Sequence, residues 1–158
     1  MTETLRDYTY SRSEIEAHFA RWREAVDRRD LKAMAVMLHA DATGGNAVFG
    51  VFEGRDAIVE FMQHWPQSVP NRSVWHVIDR TRVVNKWRET LPGTPPSDRG
   101  YRAYDYFGIS EFIYGGDGKW SYMFGLPDQT GLLRIYAQWR ADGQAEIHGE
   151  IYPEIPRS

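Results

Sequence analysis

Residues 11–62, SRSEIEAHFARWREAVDRRDLKAMAVMLHADATGGNAVFGVFEGRDAIVEFM, constrain the fold more than any other part of the chain. Ile15, Phe19, Trp22 and Val26 recur at spacings of four, three and four, which makes one apolar stripe of a long amphipathic helix. Ser11 with Glu14, or Ser13 with Glu16, offers the hydroxyl and carboxylate that satisfy the first free amides of that helix. After the charged break Asp27-Arg28-Arg29-Asp30, the residues Leu31, Met34, Ala35 and Leu38 resume helical spacing with Asp30 as the cap. Gly44-Gly45 then breaks this second helix, and Asn46-Ala47-Val48-Phe49 reads as a strand. Gly54-Arg55-Asp56 opens a third helix that buries Ile58, Phe61 and Met62 and stops at Pro66.

Beyond Pro70 the period changes from helical to alternating. Residues 73–78, 81–91, 101–114 and 119–125 are rich in Val, Trp, Tyr and Phe and are divided by turn-forming clusters, so four strands in succession predict an antiparallel meander. The breaks are Asp79-Arg80, the loop 92–100 (PGTPPSDRG) and Gly115-Gly116-Asp117-Gly118. The loop reads either as a lid or as a solvated connector. Leu132, Leu133, Tyr136 and Trp139 carry a last amphipathic helix between Asp128 and Gly143, and the remaining EIHGEIYPEIPRS is one more short strand or an extended arm. Helices first and then a long sheet make an α+β layout: a curved antiparallel sheet packed on N-terminal helices as a cone-shaped barrel with one open mouth. With 158 residues and 42% apolar content, a single domain over 1–158 is expected, with an N-terminal arm at 1–10 and a C-terminal arm at 144–158.

Composition narrows the function by exclusion. A net charge of −3 with scattered bases gives no reason to expect nucleic acid. The absence of cysteine excludes thiolate nucleophiles, disulfides and thiolate metal sites. No histidine and carboxylate set has ligand spacing such as His-x-x-x-His, so neither a metal nor a cofactor is expected. No apolar run has membrane-spanning length and the N-terminus lacks a signal-peptide core, so the expectation is no membrane contact and a cytoplasmic location. The 14% aromatic content, with six Trp and nine Tyr, suits both a core and a pocket for a flat, partly polar ligand.

The run ARWREAVDRRDLKAMAVMLHADAT, followed after a short segment by FEGRDAIVEFM, resembles the N-terminal half of the nuclear transport factor 2-like superfamily, in its SnoaL-like and dehydratase-like branch. The resemblance implies a cone that hosts many reactions, so each must be matched residue by residue. The ketosteroid isomerase residues would fall on Trp22, Asn46 and Ser110, none of which retains the required chemistry, and that assignment is rejected. In the limonene epoxide hydrolase pattern Asn46 matches the water-holding residue, but Gly44 stands where a tyrosine belongs and the Asp-Arg-Asp group has no counterpart at Arg88 or Asp128. The dehydratase pattern pairs a helix aspartate with a strand histidine. It implies Asp27 as the orienting acid and His76 as the base.

On the strand YRAYDYFGISEFIY, alternation puts Arg102, Tyr104, Tyr106, Gly108, Ser110 and Phe112 on one face. If that face lines the cone, Arg102 clamps an anionic oxygen and Tyr104 transfers or shares a proton; otherwise the hydroxyls lie at the rim and Arg102 pairs with a neighbouring acid. The expected catalytic set is therefore Asp27, His76, Tyr104 and Arg102, and the expected binding set is Trp22, Asn46, Phe49, Trp87, Tyr106, Ser110, Phe112 and Tyr122. His18 reads as a satisfied core residue, whereas His39, His64 and His148 read as solvated. The functional expectation is a cofactor-independent lyase or dehydratase acting on a small hydrophobic, aromatic or polycyclic molecule, as a homodimer through the face that carries Phe107 and Ile109. The alternatives are a non-catalytic ligand-binding protein or accessory subunit, and an epoxide-hydrolase-like or polyketide-cyclase-like enzyme.

Overall fold

The computed structural model describes residues 10–152, so residues 1–9 of the expected N-terminal arm and 153–158 of the expected C-terminal arm lie outside the described residues. Helix α1 (Arg12–Asp27) is capped by Ser11, whose Oγ accepts from the Glu14 amide at 3.1 Å; the carboxylate of Glu14 accepts from the Tyr114 hydroxyl instead of closing a capping box. Helix α2 (Leu31–Val36) is capped by Asp30 through the Ala33 amide at 2.9 Å. There follow β1 (Leu38–Asn46), β2 (Gly50–Glu53), α3 (Arg55–Gln63), β3 (Asn71–Asp79), β4 (Arg82–Leu91), β5 (Tyr104–Gly116), β6 (Lys119–Pro127), α4 (Gln129–Ala141) and α5 (Gln144–His148). No helix among the described residues is long and apolar enough to cross a membrane.

Two readings of the N-terminal half are corrected. Gly44 and Gly45 do not end a helix but lie inside β1, and residues 46–49, expected as a strand, form the end of β1 and the turn into β2. The glycines answer to packing. A β-carbon on Gly44 would sit 2.9 Å from Ile58 of α3, and one on Gly45, where φ is +141°, would sit 2.0 Å from the Gly50 carbonyl across the hairpin. Asn46 builds the turn itself, its Oδ1 accepting from the Val48 and Phe49 amides at 2.9 and 2.8 Å.

The sheet has the order β2-β1-β6-β5-β4-β3. The predicted α+β layout and the meander from β3 to β6 are present; β1 joins β6 in parallel, so the sheet is mixed where an all-antiparallel one was expected, and it is not closed. Ile15, Phe19, Trp22 and Val26 of α1 face the sheet, as their spacing predicts, and pack on Val83, Phe112, Trp120 and Met123. Burying each of the aliphatic and phenyl side chains contributes about 1.5–3 kcal/mol before entropy is counted. At the other end, α4 buries Ile135, Tyr136 and Trp139 on Leu91 and Tyr104, while Leu133, expected on that stripe, faces solvent. Residues 144–148, expected in a strand or arm, form α5, because Gly143 takes a left-handed φ of +75° and Gln144 packs against Gly93.

Gly45→Ala should lower the unfolding free energy by about 2 kcal/mol or more, since both the backbone angle and the Gly50 carbonyl oppose a side chain. Gly100→Ala, whose β-carbon would meet nothing within 4 Å, should stay within about 0.5 kcal/mol in the same urea titration.

Candidate functional site

Five rungs of the β4–β5 ladder point to the helix side: Val83 with Phe112, Asn85 with Ser110, Trp87 with Gly108, Glu89 with Tyr106, and Leu91 with Tyr104. Helix α1 covers the first rung and α4 the last, which leaves polar groups on the middle three. The Trp87 indole lies on Gly108, where a β-carbon would be 2.1 Å from the ring, and its N–H donates to Ser110 Oγ at 2.9 Å. The Asn85 amide donates to Ser73 Oγ at 2.5 Å and to the Trp75 carbonyl at 3.1 Å, the orientation that satisfies both of its ends. Pairing extends this row to His76 on one side and through Gly125 to Asn46 on the other.

Glu89 is the carboxyl on these rungs. Asn71 Nδ2 donates to its Oε1 at 2.9 Å, and the Tyr106 hydroxyl donates to its Oε2. Burial pushes its pKa up, against the Asn71 bond and the charges of Arg29 and Arg23, which pull it down. Arg23 holds Asn71 in place by donating to its carbonyl at 2.7 Å and to its Oδ1 at 3.0 Å. Outside Asn71 opens a cleft of about 110 Å³ lined by Val26, Asp27, Arg29, Gln67, Pro70, Asn71 and Arg72. Arg29, at φ +54°, donates across it to the Pro66 and Val69 carbonyls. The cleft is thus polar, with the half-buried Glu89 carboxyl behind its floor.

The expected catalytic set is dispersed. Asp27 pairs with Arg23 and Arg72, each at 3.4 Å, and does not meet His76. His76 Nε2 instead lies 2.6 Å from Glu16 Oε1, with its ring 4.7 Å from Phe19. The reason is the course of α1 along β3, which sets Glu16 and Phe19 over His76 and carries Asp27 to the opposite end beside Arg72. Arg102 is exposed in the bend before β5 and does not continue the strand's inner face. Tyr104 is buried and donates to Asp142 at 2.9 Å, alongside Arg99 at 2.6 Å, Gln138 at 2.9 Å and Tyr101 at 3.1 Å. Burial and the Asp142 carboxylate push the Tyr104 phenol well above its ordinary range. The Arg99 bond, with the Trp139 indole donating to the Pro92 carbonyl at 2.7 Å, ties both ends of loop 92–100 to α4.

Among the expected binding residues, Trp87, Tyr106 and Ser110 do come together on the middle rungs, with Trp87 and Tyr106 also buried in the cluster that α4 covers. Trp22 and Phe112 are instead packed core, 1% and 3% exposed, with ring centroids 5.7 Å apart. Asn46 ends the polar row but spends its carbonyl oxygen on its own turn. Phe49 is 61% exposed at that turn, 5.8 Å from the Phe61 ring. Tyr122 is paired with Ile113 and stacked on Phe124, on the outer face of the sheet. The residues that sequence reasoning missed are Glu89, Asn71, Asn85 and Arg23. For Glu89 a signal existed: in RVVNKWRETL the alternation that selects Val83, Trp87 and Leu91 selects Glu89 too.

A family model described as the SnoaL-like domain matches residues 19–123. No curated protein matches the chain. Among solved structures, an LEH-like epoxide hydrolase of M. tuberculosis is similar with a TM-score of 0.63 at 13% identity, over 87% of this chain and 98% of that one. A protein provisionally named a SnoaL-like polyketide cyclase, from Jannaschia sp. CCS1, aligns with a TM-score of 0.63 at 14% identity, over 82% and 96%. TerC, co-crystallised with polyporic acid, aligns with a TM-score of 0.60 at 17% identity, over 77% and 97%. At such identities the likeness bears on the fold.

Two histidines depart from expectation. His39, expected in solvent, lies in β1 against Gly115 with Nε2 buried. His18 is fully buried as expected but is not satisfied: Arg21 can only donate to its Nδ1, at 3.5 Å, so the ring proton sits on Nε2, which has no partner among the described residues. The ring packs 4.4 Å from Trp120. Burial, with the Arg21 charge, lowers the His18 pKa from 6.5 to about 4. The unfolded chain takes up this proton first, so stability should fall as the pH drops from about 6.5 to about 4, by roughly 3 kcal/mol. Denaturant titrations of His18→Phe should lack that part of the acid-dependent loss.

Proposed function

The chain belongs to the SnoaL-like domain family of the nuclear transport factor 2-like superfamily, and on that premise we propose that it is a cofactor-independent lyase or dehydratase acting on a small, largely apolar, aromatic molecule. The observation that carries the reading is Glu89, a carboxyl on the inner face of the sheet whose burial raises its proton affinity and whose two oxygens are held by Asn71 and Tyr106. A raised proton affinity suits such a group to general base or acid work. As carboxylate it takes a proton from the carbon beside a leaving hydroxyl, and the released electron pair forms the double bond. The hydroxyl departs as water with the same proton, returned to it by the Glu89 carboxyl, and the carboxylate is restored. Trp87 and Tyr106, 8% and 4% exposed, form an aromatic wall beside Glu89, with the Ser110 hydroxyl bonded to the Trp87 indole. Ligand uptake by this fold has a precedent in TerC with polyporic acid.

A non-catalytic ligand-binding role is the second reading. It is favoured by one observation: Asp27 is occupied by Arg23 and Arg72, so the acid and histidine of the dehydratase pattern are not joined. The homodimer is part of the proposal as well. Trp75, Val77, Phe107, Ile109 and Leu126 expose 39–53% of their surface on the outer face of the sheet, an apolar area suited to a second copy.

Purified protein examined by native mass spectrometry identifies a co-purifying ligand, and turnover is then followed on that ligand and on a panel of aromatic β-hydroxy carbonyl compounds. Glu89→Gln should lose about 100-fold or more in kcat with an unchanged melting curve; full turnover by this variant removes Glu89 from the mechanism. Bound ligand without turnover by the wild type favours the binding role. Ile109→Lys should halve the mass measured by light scattering, whereas an unchanged mass rules out assembly through this face.

A further inference from the structure

The chain leaves α5 at Gly149, where φ is +76°, and residues 149–152 form a strap fixed by one side chain of α4. The hydroxyl of the fully buried Tyr136 accepts the Ile151 and Tyr152 amides at 3.0 Å each and donates to Glu150 at 2.5 Å. Arg140 reinforces the arrangement, bonded to Glu150 at 3.0 Å with its guanidinium 4.2 Å from the Tyr136 ring centre. Docked in this way, the strap brings the Tyr152 hydroxyl to 2.7 Å from the Tyr106 hydroxyl. Tyr106 has one hydroxyl hydrogen and gives it to Glu89, so the hydrogen between the two phenols belongs to Tyr152. A directed chain of bonds therefore runs from the strap through Tyr106 to the carboxylate.

We propose that the strap controls the acid–base group of this site: Tyr152 is a positioning residue that orients and polarises the Tyr106 hydroxyl, and Tyr106 in turn holds the Glu89 carboxylate. The inference rests on reading Glu89 as the proton-moving group. Each hydrogen bond in such a chain strengthens the next, because a phenol that accepts a bond becomes a better donor. The other groups that face Glu89 act in the same sense. Arg23 on α1 and Arg29 in the turn beyond it bring positive charge, and Asn71 on β3 donates to Oε1. Against them stands only desolvation, so loss of the strap contact tips the balance towards the protonated acid.

The test is a pH titration of the Glu89 carboxyl by carbon NMR in the full chain without substrate, so that it reads out independently of any turnover assay. Tyr106→Phe should raise the titration midpoint, and Tyr152→Phe should raise it by a smaller amount with the strap amides still protected from exchange. Tyr136→Phe, which removes the acceptor that docks residues 149–152, should raise the midpoint in the same direction while those amides lose protection. A midpoint that is unmoved or lowered in Tyr152→Phe with the strap docked overturns the proposal, and so does an unmoved midpoint in Tyr136→Phe with the strap released. An inactive Glu89→Gln together with an unmoved midpoint would retain the acid–base reading and discard the strap; a raised midpoint with an active Glu89→Gln would do the reverse.

Discussion

One long strand pair covered by two helices, neither of which spans its whole length, is the constraint on which the rest depends. β4 and β5 run side by side for ten paired residues, and alternation commits every second one to the helix side. Helix α1 closes the Val83–Phe112 end with Phe19 and Trp22, and α4 closes the Leu91–Tyr104 end with Ile135, Tyr136 and Trp139. The rungs between them carry hydrogen-bonding groups, even though the rings of Trp87 and Tyr106 join the buried cluster of Leu91, Tyr104 and the α4 side chains. Their polar atoms are satisfied by one another: Trp87 by Ser110, Asn85 by Ser73, Glu89 by Asn71 and Tyr106. A polar band between two apolar clusters is costly unless its members are paired, and here they are.

The local code of the chain reveals the elements better than their meeting points. The stripe of α1, the caps Ser11, Asp30 and Asp128, and the four strands of the meander follow from spacing and turn chemistry, which act within a few residues. The glycine pair misled because Gly44 and Gly45 read locally as helix breakers, whereas they answer to Ile58 and Gly50 across space. The site was half legible for the same reason. Alternation correctly grouped Tyr106, Gly108 and Ser110 on one face, but which carboxylate meets which partner depends on how α1 lies along β3. That course gives His76 to Glu16 and Asp27 to Arg72, a matter of helix placement that spacing does not encode.

The aromatic residues divide by role. Trp22, Trp120 and Trp139 are fully buried, and the indole of Trp120 goes without a hydrogen-bond acceptor among the described residues, the mark of a packing residue. Tyrosines, by contrast, tie separate segments together through their hydroxyls: Tyr114 to α1, Tyr104 to the end of α4, Tyr136 to residues 150–152. The compositional excess of Tyr is therefore largely a set of cross-links between elements distant in sequence. Such bonds contribute about 1 kcal/mol each, and more where a carboxylate accepts.

The parallel seat of β1 beside β6 has a consequence for how the chain is made. Leu38 pairs with Trp120 and Asn46 with Gly125, so the strand that follows the first two helices finds its neighbour only after the whole meander has been synthesised. Until then β1 has only the short β2 to pair with, and an isolated two-stranded hairpin is marginal in water. A nascent chain carrying α1 to α3 exposes the apolar stripes that the sheet will later cover. The segment with the plainest sequence signature is thus the last to become secure, and the time between its exit from the ribosome and the arrival of β6 is the interval in which it is most open to misassociation.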